Sequence, residues 1–244
     1  MSLLFHTAGS SPALSYATAQ LQALGIPFIS RTDLNVTHLL LPVPSFTPEG
    51  QLVGGGDLQT ILPQLSPDIT VIGGNLSHPV LAGYKTLDLL QDPEYVAANA
   101  MITAHCALAY AIRELPVILE YCPALVLGWG RIAKCLCKLL QALGADITVA
   151  ARKPTDRAMA KALGFHAVDI QTQNPAGYRL IFNTIPAMVL PQGATGVKID
   201  LASKPGIGGD GVIWARGLPG KDAPESSGRR IAESVYDLVK GALI

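Results

Sequence analysis

Charge is what this sequence has least of. Only 15% of its residues are Asp, Glu, Lys or Arg, and 18 basic side chains balance 18 acidic ones to a formal net charge of +0, whereas an average soluble protein is about a quarter charged. A neutral chain has no cationic field to gather phosphate backbones or anionic lipid, so neither nucleic acid nor a membrane is expected as a partner. Cysteine is equally sparse. Cys106, Cys122, Cys135 and Cys137 form no CxxC pair, and in a helix Cys135 and Cys137 point about 200° apart, which favours buried free thiols over a disulfide framework or a metal site. No metal-ligand cluster and no nucleophile elbow appears, so no metal is expected. The opening MSLLFHTAGSSPA lacks the basic segment and long apolar stretch of a signal peptide. The longest apolar stretch, Val96 to Ile112, is alanine-rich and contains Asn99, Thr103 and His105, a pattern suited to a buried helix rather than a bilayer span. A soluble cytoplasmic protein is the expectation.

Apolar residues, by contrast, make up 49% of the 244 residues, and the mean hydropathy is +0.35. That composition excludes disorder and supports either one large α/β domain or two modest ones. A weakly charged, apolar surface also predicts a homo-oligomer, because exposed apolar patches mark interfaces.

The most informative stretch lies just past the middle. Ala124 to Leu127 is an apolar run followed at once by Gly128-Trp129-Gly130-Arg131-Ile132-Ala133, after which Ile132, Leu136, Leu139, Leu140 and Leu143 fall at helical spacing up to Gly144. Ile147 to Ala151 reads as a second strand. The unit is a βαβ opened by GxGxxA: Gly128 allows the tight turn, Gly130 lets a pyrophosphate approach the backbone, and Ala133 lets helix and strand pack closely. Free N–H groups of Arg131 and Ile132 at the helix start would face the anion. Where an NAD-binding fold usually has an acid for the ribose hydroxyls, this chain has Ala151-Arg152-Lys153, which points to a 2′-phosphate and therefore to NADP.

Further strands are predicted at His166 to Val168, Leu180 to Asn183, Val197 to Leu201 and Val212 to Ala215, completing a six-stranded Rossmann-type doubly wound sheet. Ligands on such sheets sit at the carboxyl ends of the strands. That rule nominates Asn183, Thr184, Ile185 and Pro186, then Asp200, Leu201 and Ala202, and the turn Gly217, Leu218, Pro219 as cofactor-binding. Lys204 is the best-placed cation for a substrate carboxylate.

Upstream, strands are predicted at Leu3 to Thr7, Pro27 to Ser30, His38 to Leu41 and Ile69 to Ile72, with helices at Pro12 to Leu24 and Asp57 to Leu65. This is a smaller α/β, flavodoxin-like domain without a glycine fingerprint, in which Pro42 to Gly50 and Gly54-Gly55-Gly56 form a rich turn region. A helix from Pro93 to Glu114 leads onward, giving expected domains at 1–114 and 115–244 with the substrate between them. His105, on that helix, is either a proton acceptor or a packed helical histidine; His6, His38 and His166 read as core or edge residues.

Taken together, Asn183-Thr184-Ile185-Pro186-Ala187-Met188-Val189-Leu190, Asp200-Leu201-Ala202-Ser203-Lys204-Pro205-Gly206 and Gly217-Leu218-Pro219-Gly220-Lys221-Asp222-Ala223-Pro224 resemble the A-subunit family of dipicolinate synthase. Leu41-Pro42-Val43 with Glu49-Gly50, and Ala111-Ile112-Arg113, are similar to its N-terminal domain, here on a shortened chain. The resemblance implies an NADP-linked oxidation of dihydrodipicolinate, a small cyclic dicarboxylate, to the pyridine dicarboxylate of bacterial spores, with the flavoprotein-like B-subunit as partner. The chain departs from the family after its first strand, with Thr7-Ala8-Gly9-Ser10-Ser11 in place of a Gly-Gly-Asp-x-Arg turn, and at His105-Cys106 in place of a Glu-Gly pair. The rival readings are a 2-hydroxy acid or shikimate type dehydrogenase, whose residue patterns cannot be placed here, and a non-catalytic NADP-binding subunit.

Overall fold

The structure, a computed structural model, describes residues 3–191 and 194–242. It divides into two compact units, one made of residues up to Asn99 together with those from Pro219 onward, the other of Ala100–Leu218. The chain order is β1 (Phe5–Thr7), α1 (Pro12–Ala23), β2 (His38–Leu40), α2 (Leu58–Ile61), β3 (Thr70–Gly73), β4 (Lys85–Asp88), α3 (Pro93–Glu114), β5 (Pro123–Leu127), α4 (Arg131–Ala142), β6 (Asp146–Ala151), α5 (Pro154–Ala162), β7 (His166–Asp169), β8 (Leu180–Asn183), β9 (Val197–Asp200), β10 (Val212–Trp214), α6 (Leu218–Asp222) and α7 (Pro224–Val239).

In the first unit β1, β2, β3 and β4 lie side by side in that order, all parallel. Phe28 bridges the free edge of β1, with Ile29 N donating to Phe5 O at 2.9 Å. Counting that short segment as a strand gives the order 2-1-3-4-5 of flavodoxin-like sheets. Alternation along the strands builds two cores: Phe5, Leu40 and Ile72 face one, Leu39 and Val71 the other. The first is covered by α1 and, unexpectedly, by α7. Ala13, Leu14, Ala17 and Leu21 of α1 pack with Ile231, Ala232, Val235 and Val239 of α7. Gly228 makes the approach possible, since a β-carbon there would stand 2.5 Å from Ala13 O and 2.5 Å from Tyr16 Cβ.

The division at 114/115 expected from the sequence therefore differs from the observed units at both ends. The C-terminal segment from Pro219, expected in the Rossmann domain, packs into the core of the first unit. Its apolar stripe fits any α/β sheet face, so the sequence could not name its partner.

In the second unit six parallel strands lie in the order β10-β9-β8-β5-β6-β7. Numbered within the unit, this is 3-2-1-4-5-6 read from the far edge, the doubly wound dinucleotide-binding order with its switch point between β5 and β8. The central strand β5 is wholly apolar and buried from Ala124 to Leu127. Helix α4 buries Ala133, Leu136, Cys137 and Leu140 on one face, and Gly144 beyond it takes φ +76° as the left-handed stop. α3 passes for a membrane span in length and apolar content. It buries Ala100, Ala104, Ala107, Leu108 and Ala111 inside the protein, as a core helix does.

Candidate functional site

The carboxyl end of β5 builds the glycine turn. Gly128 adopts φ +106°, a conformation that strains any L side chain, and a β-carbon there would meet Thr184 Oγ1 at 2.5 Å. Gly128 N donates to Ala150 O at 2.9 Å, and Thr184 N and Oγ1 both donate to Leu127 O, at 3.0 and 2.9 Å. The turn is thus tied to β6 on one side and to the β8 loop on the other. Gly130 is the N-cap of α4 and supplies no side-chain cap; a β-carbon built on it would meet nothing within 4 Å. A helix N-terminus with uncapped N–H groups and open space above the capping glycine is a fit for a pyrophosphate. Arg131 is exposed beside it. Trp129 is buried at 9% exposure, its ring 6.0 Å from Phe165 in an edge contact, so only its backbone is available to a ligand.

At the carboxyl end of β6, Ala151 is buried while Arg152 and Lys153 are exposed. Sequence reasoning missed Arg157, which braces this turn from α5. Its guanidinium donates to Ala151 O at 2.9 Å and Arg152 O at 2.8 Å, and pairs with Asp169 at 2.8 Å. Asp169 stands opposite Ala151 in the β6–β7 ladder, so an acid does occur near the predicted ribose position, but Arg157 already neutralises it. Arg152 and Lys153 have no ion-pair partner among the described residues. An arginine one helical turn into α5 and an acid at the end of β7, the strand that follows it, were the available signal.

Across the switch point, the side chains of Asn183 and Asp200, both nominated as cofactor contacts, brace the two loops from inside. Asn183 and Asp200 are fully buried. Asn183 Nδ2 donates to Asp200 Oδ1 at 2.8 Å and to Ile185 O at 2.9 Å, and its Oδ1 accepts from Ile185 N at 3.0 Å. Asp200 accepts in addition from Ala202 N at 3.0 Å, Gly206 N at 2.6 Å and Ile207 N at 3.1 Å. Their hydrogen bonds hold the β8 and β9 loops in register, and a carboxylate with four donors needs no ligand. What these braces present outward is Thr184 and Ile185, half-buried, and Pro186, exposed; Leu201 and Ala202 are buried beneath the second loop. In the Gly217-Leu218-Pro219 turn at the head of α6, Gly217 takes φ +66° and the Leu218 side chain is buried.

The two residues nominated for chemistry are placed without distinction. His105 is an exposed residue of α3 and Lys204 an exposed residue of the β9 loop. The thiols are placed as expected from composition: Cys106, Cys122 and Cys137 are buried and Cys135 half-buried, and none of them is in a disulfide. Among the described residues no group of three or more His, Cys, Asp or Glu could hold a metal. In the first unit, the rich turn region after β2 lines a pocket of ≈ 500 Å³ with Gly54, Gly55 and Gly56, where the Phe46 and His78 rings stack at 4.4 Å.

A 3-2-1-4-5-6 sheet with an open GxGxxA turn at its switch point defines a dehydrogenase-type, dinucleotide-binding fold. Comparison with known proteins narrows this. No protein-family model matches the chain. It is 26% identical over 232 residues to the dipicolinate synthase A-subunit of Bacillus subtilis (strain 168), covering 84% of this chain and 78% of that protein. The crystal structure of the dipicolinate synthase A-subunit from Bacillus subtilis superposes with a TM-score of 0.82 at 20% identity over 99% of this chain and 97% of that one. That of the Bacillus halodurans A-subunit does so with a TM-score of 0.82 at 22% identity over 98% and 97%. An L-alanine dehydrogenase shares the fold at TM-score 0.63 and 10% identity over 97% of this chain and 89% of that one. The resemblance to the dipicolinate synthase A-subunit, carried in the sequence by three strand-end motifs, holds for the fold of nearly the whole chain, and the fold class expected from the sequence is the one observed.

Proposed function

We propose that this chain is an NADP-dependent oxidoreductase that takes hydride from dihydrodipicolinate, or a similar cyclic imino dicarboxylate, and lets the ring aromatise. The observation that carries the reading is the sequence similarity to the dipicolinate synthase A-subunit across 84% of the chain, on a fold whose fingerprint turn is open to a dinucleotide. The uncompensated Arg152 and Lys153 support the choice of NADP over NAD.

The chain's own contribution is positioning. N–H groups at the start of α4, from Arg131 and Ile132, hold the pyrophosphate, and the small Gly128 and Gly130 keep the approach clear. Arg152 and Lys153 take the 2′-phosphate, while Arg157 keeps the Ala151 and Arg152 carbonyls turned inward. Thr184, Ile185 and Pro186 line the ribose and nicotinamide, with Ala202 on the far side; Asn183 and Asp200 fix both loops without touching the ligand. When bound, the nicotinamide supplies the hydride acceptor. Lys204 offers a cation to a substrate carboxylate. The protein acts in the cytoplasm and self-associates, and the flavoprotein-like B-subunit is a further partner, since the Bacillus subtilis relative is itself one subunit of its synthase.

Calorimetric titration with both cofactors, followed by absorbance in the NADPH band on adding substrate, tests this. NADP+ is expected to bind about tenfold to a hundredfold more tightly than NAD+, the worth of charge-assisted contacts to one phosphate, and an Arg152→Ala, Lys153→Ala double variant should bind both alike. Because the cations are exposed, salt should erode the preference. Equal affinities in the wild type would overturn the NADP assignment, and tight NADP+ binding without substrate-dependent absorbance change would make the chain a non-catalytic nucleotide-binding protein.

A further inference from the structure

At the outer end of the β8–β9–β10 half of the sheet, an arginine is laid over an indole with no acid paired to it among the described residues. Trp214 closes β10 and stays 46% exposed, costly for so large an apolar ring. Its Nε1 donates to Ala202 O at 3.0 Å, so the ring bridges from the edge strand to the loop that follows β9. The Arg216 guanidinium carbon lies 5.1 Å from the Trp214 ring centroid, a cation–π contact that limits the side chain's freedom. No carboxylate pairs with Arg216 among the described residues. The nearest strand-end acid in sequence, Asp200, is occupied by four donors.

Lys204 belongs to the same edge. It sits between Ala202 and Gly206, whose N–H groups are both pinned to Asp200, so a short loop fixed at both ends, the loop whose Ala202 O accepts from Trp214 Nε1, presents it beyond β9. The phosphate-binding features, the head of α4 and the Arg152-Lys153 turn, follow β5 and β6 on the other half of the sheet. The anion left to meet cations beyond β9 and β10 is then a substrate's.

We propose that Arg216, oriented by Trp214, is a carboxylate anchor of the substrate site and that with Lys204 it selects a planar ring acid bearing two carboxylates. This rests on the oxidoreductase reading above and adds the residue pair that counts carboxylates. Arg216 offers two parallel donors to one carboxylate, and Lys204 a point charge to the other.

The test is calorimetric titration of pyridine-2,6-dicarboxylate and, separately, pyridine-2-carboxylate into the full chain saturated with oxidised cofactor. The wild type is expected to bind the diacid more tightly. Arg216→Gln should weaken diacid binding by about tenfold to a hundredfold, the worth of one charge-assisted contact, down to the level of the monoacid, with monoacid and cofactor affinities unchanged. Arg216→Lys should recover only part of the loss, and Trp214→Leu, which keeps the charge but removes the platform, should fall between. Unchanged cofactor affinity shows that each variant is folded. Diacid binding by Arg216→Gln equal to that of the wild type overturns this inference alone. A wild type that binds cofactor but neither acid overturns it together with the substrate reading.

Discussion

Asp200 shows how much a single side chain organises. One buried carboxylate accepts from Asn183, Ala202, Gly206 and Ile207 and so fixes two ligand-edge loops at once. Asp200→Ala leaves three buried backbone donors, Ala202 N, Gly206 N and Ile207 N, without a partner and takes one of the two acceptors of Asn183 Nδ2, and each unsatisfied donor costs about 1 to 3 kcal/mol. With partial relaxation the expected loss is about 3 kcal/mol or more, read as a lower denaturation midpoint, together with weaker cofactor binding. Asp200→Asn, which keeps the shape and two lone pairs but adds donors, should recover only part. A second residue sets a pH dependence. Burial and then the neighbouring Lys85 charge hold the His38 imidazole below its ordinary pKa, where it stacks on Phe5 at 4.6 Å. The unfolded chain therefore binds this proton more readily than the folded one. The neutral imidazole costs nothing above the ordinary histidine pKa of about 6.5, and stability falls as pH drops below it. Urea midpoints measured at about pH 7.5 and about pH 5.5 should separate in the wild type and draw together in His38→Gln. Burial also pushes the Cys137 thiol up to about 12, so thiol reagents should leave it unmodified until the protein unfolds.

At the scale of elements, the approach of α7 to α1 is the contact most sensitive to one atom. Gly228 faces Ala13 O, Tyr16 Cβ and Ala17 N, each under 3 Å from where a β-carbon would stand. Two of those atoms are backbone, which cannot swing aside, so Gly228→Val must force the helices apart. The expected cost is about 2 kcal/mol or more, in line with overpacked cores, and calorimetric melting measures it. Gly220→Ala in α6, where a β-carbon would meet nothing within 4 Å, serves as the control and should melt no lower than the wild type. The glycine in α7 was visible in the sequence. Its function was not, because only the fold brings α1, some two hundred positions earlier, against it.

At the scale of the whole molecule, the low charge finds a physical outlet. Ile112, Val117, Ile118 and Leu143 stay exposed around a groove of ≈ 680 Å³ in the second unit, Ile118 at 73%, and Tyr121, next in sequence to the lining residue Glu120, is 81% exposed. The face lies at the amino end of β5, away from the nucleotide edge. Glu120 is the one charged residue lining the groove, so the patch is almost wholly apolar, and the occupant we expect is a second copy of this chain related by a two-fold axis. Light scattering should give a dimer, and an Ile118→Glu, Tyr121→Glu double variant a monomer. A wild-type monomer, or a dimer indifferent to these changes, would refute it; conversion to a mixed complex on adding a B-subunit homologue would assign the face to that partner instead.

Most of the second unit was legible in the sequence because its signals are local. An apolar run, a glycine pair with fixed spacing and a helical stripe lie within about thirty residues, the length of one βαβ unit, and each constrains the backbone directly: Gly128 and Gly144 take the positive φ their positions demand. The strands at Leu180–Asn183 and Val197–Asp200 and the helix Pro93–Glu114 follow from composition and punctuation in the same way. What the tertiary structure alone decided is which of these pieces meet. It took the C-terminal helix into the first unit, added β4 at the sheet edge, turned Asn183 and Asp200 inward as braces, paired Asp169 with Arg157, and set Arg216 over Trp214. Periodicity names the face of a helix that must be covered, and residue type names the bonds a side chain is able to make. Neither names the partner, because a partner distant along the chain is chosen by the competition among all faces and donors of the folded molecule, and that choice is made only when the chain closes on itself.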